Sequence, residues 1–115
     1  MPKDRFKVLW TDTAAGDLRR IVDRIADEGS PKAALLVLAR MQRRTAALRS
    51  LPLSGRVVPE LLEQGVDAYR EIVIPPWRIV YKAAARVVSV LAVVDSRRNL
   101  EDLLLERFLD PAAGR

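Results

Sequence analysis

Apolar and polar positions alternate at the start of the chain. Phe6, Val8 and Trp10 fall on one side and Lys7 and Leu9 on the other, which predicts a short first strand with one strongly apolar face. The period then changes. Thr11-Asp12-Thr13 offers side-chain oxygens to a helix N-terminus. Leu18, Ile21, Val22, Ile25 and Ala26 follow at i, i+3, i+4, i+7 and i+8, one apolar stripe on a helix of about four turns. Gly29 is the expected stop, being free to take a positive φ.

Ser30-Pro31 restarts the chain as N-cap and first helical residue. A second helix is predicted over roughly residues 31–50, with Leu35, Leu38, Met41, Thr45 and Leu48 as its inner stripe. The tight junction between the two helices predicts an αα-hairpin. Arg40, Arg43 and Arg44 share an outer face of the second helix. Residues 51–68 open with Leu51-Pro52-Leu53-Ser54-Gly55-Arg56 and are mostly irregular, with room for one helical turn from Pro59. A loop of this length is often functional or mobile.

From Tyr69 the pattern is that of strands. Tyr69–Lys82 and Arg86–Arg98 are rich in Val, Ile, Tyr and Trp and are broken by turn residues, predicting three consecutive strands in an antiparallel meander. Asn99 caps a last helix with Asp102 as box partner, Leu100, Leu104 and Phe108 mark its apolar face, and residues 110–115 form a frayed tail. The order β-α-α-β-β-β-α predicts an α+β fold: an antiparallel sheet with a helical hairpin packed on one face and a short C-terminal helix, all in one domain spanning 1–115.

The turn at Pro75-Pro76 decides which side chains share a face. Two-residue turns of the favoured primed types need positive φ, which proline cannot adopt, so an odd turn is expected. Arg70, Ile72, Arg78, Val80 and Lys82 would then share an open face. Tyr69, Glu71, Val73, Trp77, Ile79 and Tyr81 would face the helices, with Glu71 a misfit in need of a partner. Arg97 and Arg98 end the third strand and either extend the cationic face or hold nearby carboxylates. On this reading Arg78→Ala changes stability by no more than about 1 kcal/mol, as at an ordinary surface site.

Composition narrows the chemistry. The 115 residues include no cysteine and no histidine, which excludes disulfides, thiolate chemistry and histidine acid–base catalysis. A metal site built from carboxylates alone is not expected, nor is any cofactor, since no glycine-rich phosphate cradle is present. No apolar run is long enough to span a membrane, and the N-terminus does not read as a signal peptide, so a cytoplasmic protein is expected. The net charge is +5, and residues 1–58 hold twelve Lys/Arg against six Asp/Glu, whereas 59–115 hold eight against nine. A basic first half suits an anionic partner, whether nucleic acid or an acidic protein segment; mild basicity that only aids solubility is the plainer alternative.

Tyr69-Arg70-Glu71, then Trp77-Arg78-Ile79-Val80-Tyr81, then Leu91-Ala92-Val93-Val94-Asp95-Ser96-Arg97-Arg98 resemble the ParE/RelE superfamily, the toxin halves of type II toxin–antitoxin pairs. The upstream segments fall in the family's order, and the strand ending Val94–Leu100 is closer to the ParE, plasmid-stabilisation branch. That resemblance implies a growth inhibitor acting on DNA gyrase, in a hetero-oligomer with a cognate acidic antitoxin that neutralises it. It implies a target-binding surface at Arg70, Arg78, Lys82, Arg97 and Arg98, and an antitoxin-binding surface at Leu36, Arg40, Arg43 and Arg44. The RelE branch, which cuts mRNA on the ribosome, is the alternative. Its basic pattern is met at Arg70, Arg78 and Arg97, but past Arg98 the only aromatic is Phe108, which cannot move a proton, and no catalytic residue can be named. A non-toxic interaction module of the same fold is the third reading.

Overall fold

A computed structural model of the chain describes residues 5–96. Arg97, Arg98, the expected C-terminal helix and the tail lie outside the described residues. In chain order the elements are β1 (Lys7–Trp10), α1 (Asp12–Glu28), α2 (Pro31–Ala46) running into a 3-10 turn (Ala47–Arg49), β2 (Arg56–Val57), α3 (Pro59–Leu62), β3 (Arg70–Ile74), β4 (Trp77–Ala84) and β5 (Val87–Asp95).

The helical hairpin forms where its caps place it. The Thr11 hydroxyl accepts from the Ala14 N–H at 3.2 Å and donates to the Val90 carbonyl at 3.0 Å, fastening the start of α1 to the sheet. The Ser30 hydroxyl accepts from the Ala33 N–H at 3.2 Å, with Pro31 in the first turn. Gly29 ends α1 at φ −135°, not in the left-handed region expected of it, because the chain turns directly into the α2 cap. On α2 the buried positions are Ala34, Met41 and Thr45. Leu35, expected in that stripe, is 64% exposed: the helix meets its neighbours on the small Ala34, which leaves Leu35 turned by about 100°.

The five-stranded sheet has the order β1-β5-β4-β3-β2. The meander is antiparallel as expected, but β1 joins β5 in parallel, so the sheet is mixed. That makes β5 a central strand buried on both faces, which accounts for the near-continuous run Val87–Val94. A β-bulge at Val80/Tyr81 leaves Leu91 as an extra residue, so that Val88 and Val90 face one side with Val93 while Ala92 and Val94 face the other.

The β3–β4 turn differs from the expectation. Ile74 pairs with Trp77, so Pro75-Pro76 is a two-residue turn, and the bond between the two prolines is cis. A cis proline at the second turn position closes a two-residue turn without positive φ. The even count turns β3 over relative to β4. Ile72 and Ile74 join Trp77, Ile79 and Tyr81 beneath the helices, while Glu71 and Val73 lie with Arg78 and Val80 on the far side. That far side is not open. Val58 and Leu61, from the β2–α3 segment, cover Val80, Ala92 and Val94 in a second small core edged by Val66 and Tyr69.

Candidate functional site

The far face of the sheet is built around Arg78, which is 5% exposed. Its Nη1 and Nη2 donate to the two oxygens of Glu60, each at 2.7 Å, a fork-on-fork bond. Its Nε donates to Glu71 Oε1 at 2.6 Å. Glu71, itself buried, accepts from Arg56 Nε on its other oxygen at 2.6 Å. Two guanidiniums and two carboxylates thus form a chain from β2 through β3 and β4 to α3. Every guanidinium nitrogen of Arg78 donates to one of these two carboxylates, so its charge is already paired within the fold. The carboxyl of Glu60 is held below its ordinary range, chiefly by the hydrogen bonds from Arg78 and against the opposing effect of burial. The Arg78 guanidinium is raised in turn, first by Glu60 and then by Glu71.

Turn parity separates the cations expected on one open face. Arg70 lies opposite Tyr81, and its Nη1 donates to the carbonyls of Gly55 at 2.8 Å and Leu53 at 3.3 Å. Lys82 is exposed, with its ammonium 5.9 Å from the centroid of Tyr69, within cation–π range. Arg78 is buried rather than open, because two carboxylates reach it. The sequence signal for its partners was the need of Glu71 for a cation; Glu60, in the irregular segment, and Arg56 were not foreseen.

Tyr81 is fully buried, as expected of a core aromatic. Its hydroxyl accepts from the Gly55 N–H at 2.9 Å, and burial pushes its phenol above the usual range. Together Arg70 and Tyr81 pin the backbone of the 53–55 loop to the sheet.

On the helical layer Leu36 is 63% exposed, and Arg40, Arg43 and Arg44 are exposed around it. A cleft of about 350 Å³ lies between α1 and α2, lined by Trp10, Ala15, Leu18, Val22 and Leu38 with Arg19 and Gln42 at its polar points. Leu35 stands at i and i+3, i+7 to Leu38 and Gln42, on the cleft side of α2, whereas Leu36, Arg40 and Arg43 point outward. Among the described residues no group of acidic side chains could hold a metal ion, and no helix is long and apolar enough to cross a membrane.

A helical hairpin clasped to a meander by a parallel first strand, with a basic outer surface, is the form of the toxin halves of bacterial toxin–antitoxin pairs. The chain belongs to the ParE toxin family of type II toxin–antitoxin systems: the family model, described as the ParE toxin of the parDE system, matches residues 8–100. It is similar in structure to a chain of the chromosomal ParDE toxin–antitoxin system from P. aeruginosa, at 19% identity and a TM-score of 0.67, covering 81% of this chain and 98% of that one. It is also similar to a chain of the RelBE2 toxin–antitoxin complex from Mycobacterium tuberculosis, at 19% identity and a TM-score of 0.52, covering 79% of this chain and 91% of that one. Among curated proteins none matches significantly.

Proposed function

We propose that this toxin acts in the cytoplasm by binding DNA gyrase as a protein ligand, without cutting nucleic acid, and that an acidic antitoxin holds it inactive. The observation that carries the reading is the state of Arg78. A phosphodiester-cleaving face needs free cations to stabilise charge developing at phosphorus, and a general base and acid beside them. Here the central guanidinium is saturated by Glu60 and Glu71, and the chain has no histidine. Arg78 and Arg70 therefore serve the target surface by holding it in shape, and Lys82 supplies exposed charge on it; Arg97 and Arg98, outside the described residues, remain proposed contacts.

The antitoxin reading rests on the helical hairpin. The apolar cleft at Trp10, Leu18 and Leu38 suits an amphipathic segment, and Leu36 with Arg40, Arg43 and Arg44 gives it a basic outer wall. A segment that folds on this surface is expected to be acidic.

Purified protein placed in a gyrase supercoiling assay and in a programmed-ribosome cleavage assay separates the two branches. Supercoiling is expected to be inhibited with the mRNA left whole. Codon-dependent cleavage with supercoiling unaffected overturns the proposal in favour of the RelE branch.

A further inference from the structure

Residues 29–59 hold six Lys/Arg and not one Asp or Glu. At the far end of that stretch, beyond the 3-10 turn, Leu51 and Leu53 are each 63% exposed. A single exposed leucine needs no explanation. These two stand on either side of Pro52, on a backbone held at successive points. The Leu51 N–H donates to the Ala47 carbonyl at 3.2 Å, and the Ser54 N–H to the Leu51 carbonyl at 3.1 Å. Arg70 binds the carbonyls of Leu53 and Gly55, and the buried Tyr81 hydroxyl takes the Gly55 N–H. A side chain at 55 would sit 2.6 Å from the Glu71 carbonyl and 2.7 Å from the Tyr81 hydroxyl, so the loop lies directly against the sheet. The fold thus presents two leucines on a fixed support, and covering them costs little ordering of the loop.

The surroundings state what covers them. Aliphatic side chains gain from burial in a protein pocket and little from a phosphate backbone. Arg49 is exposed beside the loop on one side, and Arg56 on the other keeps 59% of its side chain exposed while bonded to Glu71. With no carboxylate in the whole stretch, the matching surface is apolar at its centre and acidic at its rim. The position adjoins the antitoxin surface without sharing a residue with it, since Leu51 lies seven residues beyond Arg44, past the C-terminal end of α2.

We infer that Leu51 and Leu53 are the anchor by which this toxin docks on its protein target, entering an apolar pocket rimmed by carboxylates. The inference rests on the gyrase reading above and places the target contact just past the C-terminal end of α2, beyond the last antitoxin contact at Arg44.

The test uses immobilised DNA gyrase and the co-expressed antitoxin from the adjacent reading frame. The parent protein is compared with the Leu51→Ser/Leu53→Ser double variant and with Leu62→Ser, a change at another leucine, 52% exposed, on α3. The double variant is expected to lose at least about tenfold in gyrase affinity and in growth inhibition, as for a truncated anchor. It should keep its melting temperature and its antitoxin affinity, and Leu62→Ser should match the parent. Undiminished gyrase binding by the double variant overturns the anchor and leaves the gyrase reading standing. Equal loss of antitoxin affinity overturns it too, because the surface then belongs to the antitoxin. If the parent inhibits growth without binding gyrase, the gyrase reading falls alone and growth decides the anchor: a double variant that still inhibits growth overturns it, and a harmless one supports docking on another protein. A parent that neither binds gyrase nor inhibits growth overturns both.

Discussion

Arg78 and Glu60 meet through two parallel hydrogen bonds of 2.7 Å, joining the start of β4 to the one-turn helix α3 eighteen residues earlier in the chain. The bond closes over the far face of the sheet, and Glu71 completes the pairing of the guanidinium from beneath. A position that reads as a free surface cation is therefore part of the interior.

Arg78→Met is accordingly expected to destabilise the protein by about 3–5 kcal/mol, because it leaves the buried Glu71 with Arg56 as its one cation and frees Glu60. The surface-site reading expects no more than about 1 kcal/mol. Urea denaturation of the variant decides between them. The companion change Glu71→Met, made together with Arg78→Met, should recover much of the loss, since it removes the fully buried carboxylate and leaves only the partly exposed Glu60 without its cation.

The same bond gives the protein an acid-sensitive point. The Glu60 carboxyl is depressed in the folded state by Arg78, so it binds a proton more readily in the unfolded chain. Its contribution is fully present above the ordinary glutamate value of about 4.3 and disappears as pH falls through the lower folded value. The melting temperature should fall as pH is lowered from about 5 toward 3, and Glu60→Gln should melt lower at neutral pH with a shallower decline over the same range. A parallel decline in parent and variant would place the acid sensitivity at other carboxylates.

Much of the fold is legible in the hydrophobic periods. The 3.6-residue stripe from Leu18 to Ile25, the Thr11 and Ser30 caps and the three Val/Ile-rich runs mark both helices and the meander, because burial demands those spacings. Two features are not local. The parallel pairing of β1 with β5 links residues about eighty apart and leaves no spacing signature. The β3–β4 turn holds two residues rather than an odd number, and that parity alone moves Glu71 and Arg70 to opposite faces from those expected. The candidate site was legible in its residue types and not in its geometry. Glu71 announced that it needed a cation, but only the even turn makes Arg78 that cation and brings Glu60 over it. The Leu51–Leu53 loop carried no periodic signal, since its exposure depends on contacts from β3 and β4.

Gly55 and Tyr81 offer a second test of the far loop. A methyl group at 55 would meet the Glu71 carbonyl at 2.6 Å, which the backbone cannot accommodate without shifting. Gly55→Ala should cost about 1–3 kcal/mol, as overpacking usually does. Tyr81→Phe leaves the Gly55 N–H without its partner and should cost a similar amount, about 1–3 kcal/mol. Both variants are expected to raise amide exchange in residues 51–56 ahead of the helices. Uniform loosening of the whole chain would show that the loop is not held separately.

The last prediction concerns the outer face of α2. Arg40, Arg43 and Arg44 are exposed, and no ion pair is seen for them among the described residues. Replacing all three with glutamate removes mutual repulsion of one sign and installs the other, so the stability change should stay near that of ordinary surface substitutions, within about 0.5 kcal/mol per site. Binding is another matter. If an acidic segment lies along this face, reversal converts attraction to repulsion at three points. Affinity for the antitoxin should then fall by well over about tenfold, with association slowed most and the dependence on salt inverted. The Trp10–Leu38 cleft is untouched by these changes, so a residual, salt-insensitive affinity is expected from apolar contact alone. Titration of the reversed variant against the antitoxin at low and high salt measures both parts. Affinity equal to the parent at every salt concentration would confine the antitoxin to the cleft and remove Leu36, Arg40, Arg43 and Arg44 from its contact surface.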